Sequence, residues 1–130
     1  MTTLATEQLE LDLSPFVTPD YCGTTSLAER YRVWVNANPW VVDIAEYIVE
    51  RLVASGRTYV SMKAVWEEMR VLYSARFVST PGAPEFRANN NHTAFLARDL
   101  VTRRPEWAAR RIIILRQQRD TSLAPDQENA

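Results

Sequence analysis

From Ser26 to about residue 118, apolar residues recur every three or four positions, and Pro, Gly and Asn separate one run from the next. "SLAE" at 26–29 reads as a capping box, in which Ser26 caps and Glu29 reaches back over the first turn. Leu27, Tyr31, Trp34 and Val35 then share one face of a first helix. "NANP" ends it, because the residue before Pro39 is pushed out of the helical region. Asn38 and Pro39 are expected to open a second helix as N-cap and first-turn residue. That helix runs to about Ser55 and stops at Gly56. Its apolar side holds Val41, Ile44, Ala45, Ile48 and Leu52; Asp43, Glu46 and Glu50 form an acidic stripe on the other, read as solvated.

Thr58–Val60 is a short β-prone piece, and Ser61 is a good N-cap for a third helix over about 61–76. Met62, Val65, Trp66, Met69, Leu72 and Tyr73 line one side of that helix. After an exposed loop, "STPGAPE", a fourth helix starts near Asn90 or Asn91 and continues to about Arg103, and Pro105 restarts a short turn through Trp107. The β-branched run in "RIIILR" suits a buried strand that pairs with Thr58–Val60, which makes residues 112–115 core. The expected fold is mainly α: a compact helical domain with a minimal two-stranded sheet, winged helix-turn-helix-like in its order of elements. The loop at 77–88 is long for that comparison, and the likeness alone establishes no function.

The pattern breaks down at both ends. Residues 1–25 read as an extended acidic arm, 26–118 as the domain and 119–130 as an acidic tail of disordered composition. A single cysteine, Cys22, excludes a disulfide within the monomer and favours the cytoplasm. No apolar run approaches the roughly 20 residues of a bilayer-spanning helix, so no membrane partner is expected. The net charge of −1 is unevenly spread. Residues 87–119 carry eight arginines against Asp99 and Glu106, while both flanks are acidic.

That basic segment contains the helix that opens with Asn89, Asn90 and Asn91. On a helical wheel, Asn91, His92, Arg98, Thr102 and Arg103 fall on one half, with Phe95 among them. Amides, guanidinium groups and hydroxyls suit base edges and phosphates, and helix N-termini favour phosphate. Arg104, Arg110 and Arg111 follow as candidates for flanking backbone, with Arg57 and Lys63 joining them from the strand–helix junction. The first reading is therefore a non-enzymatic regulatory protein that binds double-stranded DNA. The second is a module that binds a host bacterial protein, through Phe95 or through Leu9, Leu11 and Leu13 of the arm; the alternation in "LELDL" suits strand addition to a partner or to a second copy as a homodimer. Catalysis is not expected. His92 is the sole histidine, no Gly-rich phosphate loop exists, and Glu67 and Glu68 are adjacent on a helix and point about 100° apart. The residues suggest no cofactor and no metal site.

"NPWVVDIAEYIVERLVASGRTYVSMKAVWEEMR" followed by "FRANNNHTAFLARDLVTRRPEW" resembles a widespread group of small phage and prophage proteins. The marks are Asn38–Pro39, Gly56–Arg57, Lys63, Glu67 with Arg70, Asn89–Asn91, Ala97–Arg98 and Pro105, over about residues 27–116. The resemblance implies a phage origin and a compact, winged-helix-like helical fold. It carries no catalytic residues over. The "RRIIILR" ending departs from the pattern, which has an aromatic after the short Pro helix.

Overall fold

Ser26 opens the helical part as its sequence suggests. Its Oγ accepts from Glu29 N at 3.1 Å, and the Glu29 carboxylate accepts from Thr25 N at 2.6 Å and from Thr25 Oγ1 at 2.9 Å. Those bonds hold the Glu29 carboxyl below the usual carboxylate range. The computed structural model of the chain describes residues 13–86 and 90–115. Among them lie helices α1 (Leu27–Ala37), α2 (Trp40–Ala54), α3 (Met62–Phe77), α4 (Thr93–Arg103) and α5 (Glu106–Ala109), with a 3-10 turn at Asn90–His92 before α4. Ser61 caps α3 by accepting from Ala64 N at 3.1 Å. Gly56, with φ at +107°, closes α2 in a Schellman motif: Gly56 N donates to Val53 O at 3.0 Å and Arg57 N to Leu52 O at 3.1 Å.

Helices α2, α3 and α4 pack against one another, and α1 lies against the 3-10 turn. The apolar face read for α2 is buried at Val41, Ile44, Ala45 and Ile48, but so are Trp40, Val42 and Val49. The second helix is thus covered around much of its circumference, as a central helix requires. On α3 the side carrying Val65, Trp66, Met69, Leu72 and Tyr73 is buried as read.

The segment before α1 belongs to this core. Leu13 is buried, and the Phe16 ring sits 5.0 Å from Trp40, 4.9 Å from Tyr73 and 5.3 Å from Phe86. The Tyr73 hydroxyl accepts from Phe16 N at 3.1 Å and donates to Pro84 O at 2.8 Å, so one side chain ties the arm to the loop after α3. Asn38 does not cap α2 with its side chain. Its amide pairs instead with the arm, like a one-residue strand: Nδ2 donates to Val17 O at 2.9 Å, and Oδ1 accepts from Val17 N at 2.8 Å. Pro39 takes the N-cap position.

The expected two-stranded sheet is absent among the described residues, and with it the support for a wing. What remains of the pairing is one bond, from Val60 N to Ile112 O at 2.8 Å. The reason is local. Ile112 N and Ile113 N both donate to Trp107 O, at 2.8 and 3.0 Å, closing the end of α5. Donors engaged there are not available for a ladder. Ile112 and Ile113 are buried, but Ile114 and Leu115 are half exposed, so only half of the 112–115 run is core. No described helix is long and apolar enough to cross a membrane.

Candidate nucleic-acid interface

The helix expected to read bases is held inward at its start. His92 is 4% exposed and packs against the rings of Tyr31 and Trp34 at 5.4 and 5.2 Å. It stands at the N-cap of α4 without a side-chain capping bond. Asn91 and Arg98 are half-buried, and both are engaged within the protein. Phe95 stacks on Tyr31 at 5.4 Å, with the Arg98 guanidinium 5.5 Å from its centroid. Thr102 Oγ1 donates to Arg98 O at 2.9 Å. Asp99 fixes α4 to α1: Tyr31 donates its hydroxyl to Asp99 at 2.6 Å, and Arg32 pairs with the same carboxylate at 3.3 Å. Burial and that carboxylate push the Tyr31 phenol up.

The acidic stripe of α2 is not merely solvated. Arg103 pairs with Asp43 at 2.7 Å and Glu46 at 3.0 Å. Arg104 pairs with Glu46 at 3.4 Å, with Glu106 at 2.8 Å and with Glu50. These carboxylates raise the pKa of both guanidiniums. Two of the arginines that made the segment basic are therefore neutralised by α2 and clasp α4 to it. A signal for this lay in the sequence: Asp43, Glu46 and Glu50 recur at helical spacing and face one partner.

The remaining cations gather elsewhere. The Val60–Ile112 bond brings the α2–α3 turn against the end of α5. Within three residues of it lie Arg57, Lys63, Arg110 and Arg111, all exposed, and none has an ion-pair partner among the described residues. No carboxylate occurs in residues 55–66 or 107–115. Glu67, the next acid along α3, pairs with Arg70 at 3.5 Å. Tyr59, half exposed, stands between Arg57 and Lys63 and was not singled out by periodicity, since it belongs to no helix. Two helix ends fix this patch, the Schellman turn at Gly56 and the turn after α5. The structure thus gathers Arg57, Lys63, Arg110 and Arg111 around one backbone bond, while α2 carboxylates hold Arg103 and Arg104.

The alternative protein-contact residues are dispersed. Leu13 is buried in the core, so it is not open to a partner. Leu9, Leu11 and Asn89 lie outside the described residues, and of Asn90 only the backbone is described. No cluster of three or more His, Cys, Asp or Glu able to hold a metal occurs among the described residues. No family model, curated protein or solved structure matches the chain.

The clasp yields a test of its own. Arg103→Ala is expected to lower stability by about 1 kcal/mol, the scale of exposed pairs after solvent screening. Arg103→Ala combined with Arg98→Ala is then expected to change nucleic-acid affinity less than about threefold, since neither residue belongs to the patch of unpaired cations. Urea denaturation and a binding titration on the same preparation check both; a large loss of affinity at unchanged stability would return the interface to α4.

Proposed function

We propose that this chain is a small non-enzymatic protein that binds duplex DNA through the patch of Arg57, Tyr59, Lys63, Arg110 and Arg111, in a regulatory role of the kind its phage-like pattern suggests. The observation that carries the reading is the convergence of four exposed cations around the Val60–Ile112 bond, of which Arg57, Lys63 and Arg111 have no ion-pair partner among the described residues and Arg110 feels only the charge of Glu106 one turn away. Apart from Arg110, which also serves the carbonyl end of α5, these cations have no ion pair to keep among the described residues, and the group matches the charge of a phosphate backbone. Tyr59 adds a hydrogen-bonding and apolar surface at its centre.

If four phosphates are neutralised, log K should fall with log salt at a slope between about −3 and −4, which is roughly a 100-fold loss between 50 and 200 mM. Fluorescence anisotropy with a labelled random-sequence duplex measures this. Arg57→Ala with Lys63→Ala should weaken binding roughly 30-fold and flatten the slope by about two. No binding at 50 mM salt, or a slope near zero, overturns the reading.

One observation favours a host-protein module instead. Ile114 and Leu115, 51% and 42% exposed, lie beside the same patch. Ile114→Ser with Leu115→Ser should leave the salt-dependent DNA titration unchanged if DNA is the ligand. Loss of a defined protein complex in that variant, with no DNA binding in either form, would favour the module.

A further inference from the structure

We infer that Arg111 is the principal phosphate anchor of the patch and that its backbone is held in a disfavoured conformation to present it; this rests on the nucleic-acid reading above. Arg111 is the sole non-glycine residue with positive φ among those described, at +60°. The turn around it has a defined form. Arg111 N donates to Ala108 O at 3.0 Å and Ile112 N to Trp107 O at 2.8 Å, the two bonds of a Schellman motif in which Arg111 occupies the position that glycine usually fills. The equivalent position at the end of α2 is indeed Gly56. A side chain in the left-handed region brings Cβ toward the following carbonyl, so any residue but glycine, and to a lesser degree Asn or Asp, is disfavoured there.

The position does not call for arginine on structural grounds. Arg111 is exposed, and no ion pair or ring contact holds its guanidinium among the described residues. Arg110, one residue earlier at the C-cap, already supplies a cation to the carbonyl end of α5. Strain kept at an exposed side chain without an internal partner is the pattern expected where a side chain serves a ligand. The turn does more than expose the charge. The same reversal that gives Arg111 its positive φ sends Ile112 O to Val60 N, and so sets Arg111 against the Arg57–Lys63 turn. A phosphodiester bridging the two turns would meet cations from both.

The test uses Arg111→Gly and Arg111→Lys in the full chain, with thermal denaturation and anisotropy on a labelled random-sequence duplex. Arg111→Gly is expected to raise Tm by about 4 °C, because glycine relieves the turn. The same variant is expected to lose about tenfold in affinity and about one unit of salt slope. Arg111→Lys keeps both the strain and the charge, and should leave Tm and the salt slope close to the parent's. A Tm that falls in Arg111→Gly overturns the strained-turn part. Unchanged affinity in Arg111→Gly, while Arg57→Ala with Lys63→Ala loses binding, overturns the anchor and leaves the patch standing. Absence of binding by the parent protein removes both.

Discussion

Replacing Asn38 with Ala is expected to destabilise the protein by about 3 kcal/mol, a large share of a typical domain's stability. The side chain is 0% exposed and makes three hydrogen bonds, two to Val17 and one from Nδ2 to Trp34 O at 3.1 Å. Each is worth about 1 kcal/mol net, and Val17 lies near enough to solvent for water to soften the loss. The change also detaches Val17, and with it the Phe16 ring from Trp40, Tyr73 and Phe86. Asn38→Asp separates hydrogen bonding from shape. Its second carboxylate oxygen would face the carbonyls of Val17 and Trp34, where Nδ2 now donates. The carboxyl pKa must rise in the folded state, so the folded form gains affinity for protons. Measured against Asn38→Ala, which carries the same His92 background, this variant should therefore gain stability as pH falls from 7 toward 4. Urea midpoints at several pH values check it; an Asn38→Ala cost below about 1 kcal/mol would mean that the arm is held without the amide.

Asn38 also illustrates what a sequence hides. "NP" before an apolar run reads correctly as the boundary between two helices, because Pro39 acts on its neighbours alone. The destination of the Asn38 amide depends on a residue twenty-one positions earlier, in a segment with no periodicity to place it. Capping by Ser26 and Ser61, the stop at Gly56 and the buried faces of α2 and α3 were legible for the same reason: each is decided within one or two turns. The sheet was not, because the β-branched run at 112–115 competes with closure of α5, and the closing bonds take the donors of Ile112 and Ile113.

The candidate site divides along that line too. The basic character of residues 87–119 is real as composition, but charge counted along a chain does not reveal which cations are matched across space. Arg103 and Arg104 meet α2 carboxylates more than fifty residues away. Arg57 and Lys63 acquire Arg110 and Arg111 as neighbours through the Val60–Ile112 hydrogen bond, which joins segments some fifty residues apart in sequence. The Asn-rich helix start looked like a surface because its wheel is polar. In the fold, α1 lies against the 3-10 turn, and Tyr31 and Trp34 enclose His92.

That enclosure makes His92 a source of pH-dependent stability below neutrality. Burial, reinforced by the nearby charge of Arg30, lowers the His92 pKa to about 4 from 6.5. His92 Nδ1 has no hydrogen-bond partner, and aromatic faces rather than carboxylates surround the ring. The unfolded chain therefore binds a proton as pH drops through 6.5, while the folded chain resists until about 4. Stability is fully present above pH 6.5 and is lost as pH falls through that window, by about 2 kcal/mol at pH 5 and about 3 kcal/mol at pH 4. Because the sequence has one histidine, no other side chain of that kind contributes to this slope. The lowered carboxyls of Glu29 and Glu106 add to the loss only once pH falls through the usual carboxylate range and below it, where the unfolded chain takes up those protons first. His92→Phe keeps an aromatic ring in the cage and removes the titrating nitrogen. Its urea midpoint should stay level between pH 7 and 5 while that of the parent declines. Equal slopes in the two proteins would show that the acid sensitivity arises elsewhere, and a flat parent profile would place His92 in contact with water and return it to the candidate ligands of a phosphate.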